Sequence, residues 1–231
     1  MLTSLFYRIP SDWIGLAVSG FVLWGYLKWF DKSQVGALFR EQLPGILLVF
    51  IIFSRFLAGL MLHPTVNLKE DLLAVLSGAP VYGWIIGVAA MILYSLWGLY
   101  KRKLFTQEAF AHGAMIFYLG SATFFLYLSI VNLMPFRLED VIRSTIFLFL
   151  FTLLQMKRTK RWISAPLRWG ITGAVLFATT LFVPQVTHLF IFSAAQWLYL
   201  LVIVIGLGGE ALRDVRSSGL HETAGCEEEH E

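Results

Sequence analysis

Residues 111–133 read AHGAMIFYLGSATFFLYLSIVNL, a stretch without lysine, arginine, aspartate or glutamate. A helix of about 20 apolar residues crosses the hydrocarbon core of a bilayer. Inside a bilayer every backbone N–H and C=O group must find its partner within the protein, and a helix satisfies this condition by itself. The stretch therefore predicts a transmembrane helix, and it decides the fold class of the chain.

Six further apolar runs lie on either side of this stretch. The chain of 231 residues is 58% hydrophobic and 14% charged, and its mean hydropathy is +0.71. A soluble domain has roughly 45–50% apolar residues, so this chain is expected to be all-α, a polytopic membrane helix bundle with seven transmembrane helices. The predicted spans lie near Trp13–Trp29, Gly45–Leu62, Val81–Tyr100, Ala111–Leu133, Ser144–Met156, Trp169–Val183 and Leu189–Leu207.

Lysine and arginine alternate between rich and poor connections along the chain. Of the 18 lysines and arginines, all but Arg55 lie in the connections, and most of them lie in one alternate set. Because positive residues concentrate in cytoplasmic loops, we expect the N-terminus outside and the C-terminus in the cytoplasm of a multi-pass plasma-membrane protein. The rich set contains Lys28, Lys32, Arg40, Lys101, Arg102, Lys103, Lys157, Arg158, Lys160, Arg161, Arg168, Arg213 and Arg216, and the poor set Arg8, Lys69, Arg137 and Arg143.

Composition divides the chain into a membrane domain, residues 1–208, and a polar tail, residues 209–231. The tail carries the acidic run 227–229 and is expected to be disordered and cytoplasmic. The single cysteine, Cys226, lies in this tail, so the sequence predicts neither a disulfide framework nor a metal site. The glycine-rich segment 206–209 lacks the strand and helix context of a dinucleotide turn, and no cofactor is expected.

A few polar residues stand near the predicted membrane boundaries. Arg55 falls inside a span, where a guanidinium costs several kcal/mol unless it faces a partner or an anionic ligand, so both a structural and a ligand-binding role are open. His63 ends the second span and is either a general base or an interfacial histidine. Arg137, Glu139 and Asp140 fall in a predicted outward loop, as a polar cap or as part of a site.

Five short segments carry a family resemblance. In chain order they are DWIGL at 12–16, SRFL at 54–57, VYGWIIG at 81–87, PFRLED at 135–140 and FSAAQWL at 192–198. Together they resemble motifs of the prolipoprotein diacylglyceryl transferases, which are bacterial seven-span membrane enzymes. These enzymes move a diacylglyceryl group from phosphatidylglycerol to the cysteine of a lipoprotein precursor, and the resemblance extends from about Ile9 to Leu207.

The resemblance implies site residues, but the chain departs from the family where the chemistry should be. The essential histidine of the family corresponds to Tyr82, and a phenol with a pKa of about 10 is a poor general base at neutral pH. Segment 124–133 lacks the arginine and glutamate of the family signature. The resemblance implies lipid contacts at Arg55, Arg137, Gly83, Asn132 and Gln196, and catalytic candidates at Tyr82, Glu139 and Asp140. The histidine His63, at the end of the second predicted span, is a further catalytic candidate because of its residue type.

Three functions are compatible with these features. The first is a diacylglyceryl-transferase-like protein of the bacterial cytoplasmic membrane with reduced or no catalytic activity, which binds a phosphatidylglycerol-like phospholipid or lipoprotein-precursor signal peptides. The second is an active phosphatidylglycerol–prolipoprotein diacylglyceryl transferase with relocated catalytic groups. The third is a small transporter or channel. No nucleic-acid partner is expected, because the basic residues lie at span ends.

Overall fold

The computed structural model describes residues 11–57, 81–156, 163–181 and 193–227. Within these ranges every regular element is helical, which confirms the predicted all-α class for this part of the chain. In chain order the elements are α1 (Ser11–Trp29), α2 (Gln34–Ile51), a π-helical segment (Ile52–Leu57), α3 (Val81–Lys101), α4 (Gln107–Val131), α5 (Phe136–Gln155), α6 (Ala165–Thr180) and α7 (Ala194–Glu227).

Short polar side chains define where three of the helices begin. A serine or threonine before the first turn has extended backbone, and its hydroxyl accepts a backbone N–H group that would otherwise lack a partner inside the helix. Such a cap typically stabilises a helix by about 1 kcal/mol. The capping pairs are Ser33 with Gly36 at 2.9 Å, Thr106 with Ala109 at 3.2 Å and Ser164 with Leu167 at 3.2 Å.

Three segments of the described chain are long and apolar enough to cross a membrane. They are Gln34–Ser54, Gln107–Val131 and Ala195–Arg213, and a shorter apolar helix covers Ile85–Lys101. The three segments correspond to the second, fourth and seventh predicted spans. The total of seven spans and the orientation of the termini stay predictions.

The chain divides into two compact units, residues 1–148 and residues 149–231. In the first unit α1 packs against α2 and α4, and α2 packs against α3. The ring of Phe147, which is 0% exposed, lies 5.8 Å from the ring of Tyr118 and stacks on Phe125 at 6.1 Å, measured between centroids. This aromatic group joins α4 to α5, and the hydroxyl of Ser144 adds a hydrogen bond of 2.8 Å to the carbonyl oxygen of Ala122.

Glycines allow α2 and α3 to approach closely. A Cβ at Gly45 would lie 2.6 Å from the Tyr94 hydroxyl, and a Cβ at Gly98 would lie 2.6 Å from the Gln42 Oε1 atom. Both distances are far inside ordinary carbon contacts of about 3.5–4.0 Å. Each glycine therefore makes room for one large side chain of the facing helix, in the manner of small residues at membrane helix interfaces.

The second unit contains the pair α6 and α7. A Cβ at Gly173 would lie 2.8 Å from the carbonyl oxygen of Tyr199, and a Cβ at Gly206 would lie 2.5 Å from the Cα atom of Gly170. The two backbones touch because neither glycine has a side chain. The Ser164 hydroxyl also donates to the Glu210 carboxylate, so a polar contact accompanies the glycine packing.

The structure differs from the sequence expectations at two helix boundaries. The predicted outward loop is helical from Phe136, because Pro135 precedes the first turn, where proline costs no helical hydrogen bond, and Glu139 pairs with Arg143 one turn later. At the C-terminal end α7 continues through the polar segment from Gly209 to Glu227, which was expected to be disordered. Alanine, leucine, arginine and glutamate in this segment favour helix without needing an apolar face.

Candidate functional site

The candidate site lies where α4 ends and α5 begins. Asn132 caps the end of α4 with extended backbone, and its N–H donates to the carbonyl oxygen of Leu128 at 2.8 Å. The Asn132 side chain then donates from Nδ2 to Asp140 Oδ2 at 2.8 Å. Asn132 therefore ends α4 and holds the Asp140 carboxylate of α5 in place.

A buried ion pair occupies the first turns of α5. Glu139 and Asp140 are both buried, and the Glu139 carboxylate contacts the Arg143 guanidinium four residues later. The side chains of Arg143 and Glu139 are only 11% and 9% exposed, and the guanidinium lies 5.1 Å from the centroid of the Phe125 ring. Removing one partner of such a pair leaves an uncompensated buried charge, which costs about 3–5 kcal/mol.

Glu139 and Asp140 precede the apolar part of α5, outside the predicted fifth span. Burial raises the pKa of Glu139 above its ordinary value of 4.5, the Arg143 charge opposes this rise, and the Asp140 charge adds to it. Burial likewise raises the pKa of Asp140 above 3.8, with Asn132 and Arg143 opposing the rise and the charge of Asp12 adding to it. Both carboxyls therefore bind a proton more readily than exposed ones do.

Arg137 is an exposed cation at the same place, the α4–α5 corner, where α4 ends and α5 begins. It precedes the buried Glu139 by two residues, and exposed apolar side chains precede and follow it along the chain. A guanidinium presents several N–H donors in one plane and suits a phosphate. The exposed apolar side chains within residues 130–141 are Ile130, Val131, Leu133, Met134, Phe136, Leu138 and Val141.

Gln196 makes hydrogen bonds within the second unit, and Gly83 is buried in the first unit. In the second unit the buried Gln196 donates from Nε2 to the Thr180 hydroxyl at 3.0 Å, and its Oε1 accepts the backbone N–H of Ser193 at 2.8 Å. These bonds connect the start of α7 to the end of α6. In the first unit Gly83 lies in the first turn of α3 and is buried there.

Three other site predictions lie wholly or partly outside the described residues. The backbone of Arg55 belongs to the π-helical segment and that of Tyr82 to α3, but their side chains are outside the described part of the structure. His63 lies outside the described residues altogether. Their roles stay predictions, while Asn132, Arg137, Glu139 and Asp140 are brought together at one corner.

Sequence reasoning missed the cation that completes the buried pair. Arg143 was counted only for topology, although it follows Glu139 at the helical spacing of four residues. That signal is visible only if residues 136–143 are assigned to a helix instead of a loop. The contact between Arg143 and Phe125 joins two helices, so the sequence of one helix does not predict it.

The described residues contain no group of three or more histidine, cysteine, aspartate or glutamate side chains that could hold a metal ion. Comparison of the chain with protein-family models, with curated proteins and with solved structures finds no match.

Proposed function

We propose that this chain is a diacylglyceryl-transferase-like protein of the bacterial cytoplasmic membrane that binds an anionic phospholipid and has little or no transferase activity. Phosphatidylglycerol is the proposed ligand, and its phosphate is placed at Arg137. The proposal rests on one observation: Arg137 is exposed in a segment whose apolar side chains are also exposed, next to carboxylates that are already paired.

The surroundings of Arg137 suit a lipid better than a soluble anion. A lipid offers an acyl chain for the exposed apolar side chains of this segment and a phosphate for the guanidinium at the same time. Leu133 and Met134 lie before Arg137 and Leu138 lies directly after it, and all three are exposed. A soluble phosphate would use the cation and leave these apolar side chains unoccupied.

Two of the catalytic candidates are engaged inside the protein, which supports the low-activity part of the proposal. A general base must reach the proton that it removes, within about 2.6–3.2 Å or through one water. Glu139 is buried against Arg143, and Asp140 is buried against Asn132. Both carboxylates therefore already have partners inside the protein.

Lipid binding is tested by native mass spectrometry of the full chain exchanged into mixed phosphatidylglycerol and phosphatidylcholine. We expect Arg137→Gln to lower the retention of phosphatidylglycerol about fivefold, the scale of one juxtamembrane cation, and to leave phosphatidylcholine unchanged. Arg213→Gln is the matched control, because Arg213 is also exposed but pairs with Glu210 at 3.3 Å. Equal retention by the Arg137 variant and the wild-type chain would contradict the proposed site.

Catalysis is tested separately. The purified chain is incubated with phosphatidylglycerol and a signal peptide that carries the acceptor cysteine, beside an active diacylglyceryl transferase as the positive control. We expect no lipidated peptide. Turnover that disappears in Glu139→Gln or Asp140→Asn would replace this proposal with the active transferase that uses relocated carboxylates.

A further inference from the structure

A second polar surface lies at the start of α4 and the end of α1, away from the site at the end of α4. It contains six cations, which we call the basic rim: Lys28, Lys32, Arg40, Lys101, Arg102 and Lys103. They come from the end of α1, the start of α2 and the end of α3, next to the start of α4. All are exposed except Arg40, which is half-buried.

Specific contacts hold these helix ends in one place. Arg102 donates from its guanidinium to Glu41 Oε2 at 2.9 Å, which joins α3 to α2. Asp31, in the α1–α2 connection, contacts the His112 ring on α4, and its Oδ1 accepts the Ser33 backbone N–H at 2.9 Å. Beneath them an apolar cluster joins α2, α3 and the start of α4: Leu38, Leu99 and Ala109, with Val35, Phe39 and Leu104 packed around them.

The rim keeps a net positive charge after its internal pairs are considered. In residues 28–41 and 101–112 the carboxylates are Asp31, Glu41 and Glu108, against six lysines and arginines. Asp31 is engaged with His112, and Glu41 with Arg102. The four lysines of the rim are exposed, and they extend the charge across the ends of α1 and α3.

Two of these lysines are positioned by tryptophan rings. The Lys28 ammonium lies 4.6 Å from the centroid of Trp24 and 6.0 Å from that of Trp29, and the Lys101 ammonium lies 5.2 Å from that of Trp97. A cation over an indole face is attracted by the ring and is held near it. Indole rings favour the headgroup level of a bilayer, so they would hold these ammonium groups at the depth of lipid phosphates.

We propose that the basic rim binds anionic phospholipid headgroups, with Lys28 and Lys101 as two separate phosphate contacts positioned by Trp24, Trp29 and Trp97. The occupant is a lipid rather than a nucleic acid because exposed aromatic side chains lie among the cations: Trp29, Phe30, Trp97, Tyr100 and Phe105. The surface uses none of the residues of the α4–α5 corner, so it goes beyond the proposed function.

The test compares two double variants with the same net charge. The full chain is reconstituted into phosphatidylcholine vesicles, and electron spin resonance measures its relative association with spin-labelled phosphatidylglycerol and spin-labelled phosphatidylcholine. Lys28→Gln with Lys101→Gln removes both ring-held ammonium groups. Lys32→Gln with Lys103→Gln removes two exposed rim charges that have no ring contact among the described residues, and so it is the matched control.

We expect the first variant to lower the preference for phosphatidylglycerol about fivefold per lysine, and the control to lower it clearly less. We also expect salt to weaken the preference of the wild-type chain more than that of the first variant. Equal losses in the two variants would refute the ring-positioned contacts. An unchanged preference in both would refute lipid binding by the rim, whereas Arg137→Gln tests the other corner independently.

Discussion

A single methyl group added at Gly206 should separate α6 from α7. The Cβ of Gly206→Ala would lie 2.5 Å from the Gly170 Cα atom and 2.9 Å from the Pro166 carbonyl oxygen. Carbon atoms in contact stand about 3.5–4.0 Å apart, so the helices must move apart by about 1 Å. Both opposing atoms belong to the backbone, and no rotamer change can relieve the overlap.

The expected cost follows from two opposing contributions. Overpacking of a close interface costs about 1–3 kcal/mol. A gap of about 0.5–1 Å removes about a quarter to a half of the van der Waals attraction between the atoms on its two sides. Replacing glycine by alanine in a helix returns up to about 1 kcal/mol of helix propensity. We therefore expect Gly206→Ala to lower the free energy of unfolding of this helix pair by about 1–2 kcal/mol.

Gly208→Ala isolates the packing contribution. Gly208 lies two residues later in α7, and a Cβ there would meet no atom of another described element within 4 Å. Both variants gain the same helix propensity, so the difference between them reports the steric overlap at Gly206. We expect this difference to be about 1–3 kcal/mol.

The assay is reversible unfolding in mixed micelles with increasing sodium dodecyl sulfate, followed by circular dichroism and by tryptophan fluorescence. Hydrogen exchange of the α6 amides should increase in Gly206→Ala and stay unchanged in Gly208→Ala. If Gly206→Ala and Gly208→Ala unfold at the same detergent fraction as each other, the close backbone contact between α6 and α7 does not exist as described.

Three further perturbations have defined outcomes. Burial raises the pKa of Asp31, but hydrogen bonds from Ser33 and the charge of a nearby histidine lower it below 3.8 overall. The resulting stabilisation of the folded state is present above the pKa of Asp31 in the unfolded chain, and it is lost as the pH falls through the pKa in the folded chain. The stability of Asp31→Asn, measured in acid unfolding curves, should therefore depend less on pH than that of the wild-type chain. Phe147→Ala should lower the free energy of unfolding by about 3–5 kcal/mol, whereas Phe149→Ala, at a position 60% exposed, should change it by less than about 0.5 kcal/mol. Gln42→Met should raise the free energy of unfolding by about 1 kcal/mol in the same assay, because Gln42 Oε1 is buried and has no hydrogen-bond partner among the described residues. A lower free energy of unfolding in this variant would show that the amide is needed.

The helical class and the approximate positions of the helices could be predicted from local composition. The predicted span near Val81–Tyr100 corresponds to α3, and the one near Ala111–Leu133 overlaps α4 closely. The start of α5 was placed too late, because the prediction followed apolar residues and the first turns of this helix are polar. Their polarity is compensated by the contact of Glu139 with Arg143, which a hydropathy argument does not contain.

The candidate site was predictable only in part. Asn132, Arg137, Glu139 and Asp140 were identified from a family resemblance, and the structure brings them to one corner. The resemblance did not indicate which of them are engaged internally. Arg137 is exposed whereas Glu139 is buried, although they lie two residues apart.

The sequence by itself determined that the chain is helical and has segments able to cross a membrane. Apolar length and backbone hydrogen bonding are properties of consecutive residues, so a single segment reveals them. Only the tertiary structure decided that Asp31 meets His112, 81 positions away, and that Gly206 lies against another backbone while a Cβ at Gly208 would meet no other element among the described residues. Such contacts depend on how separate helices approach each other, and no local pattern encodes that distance.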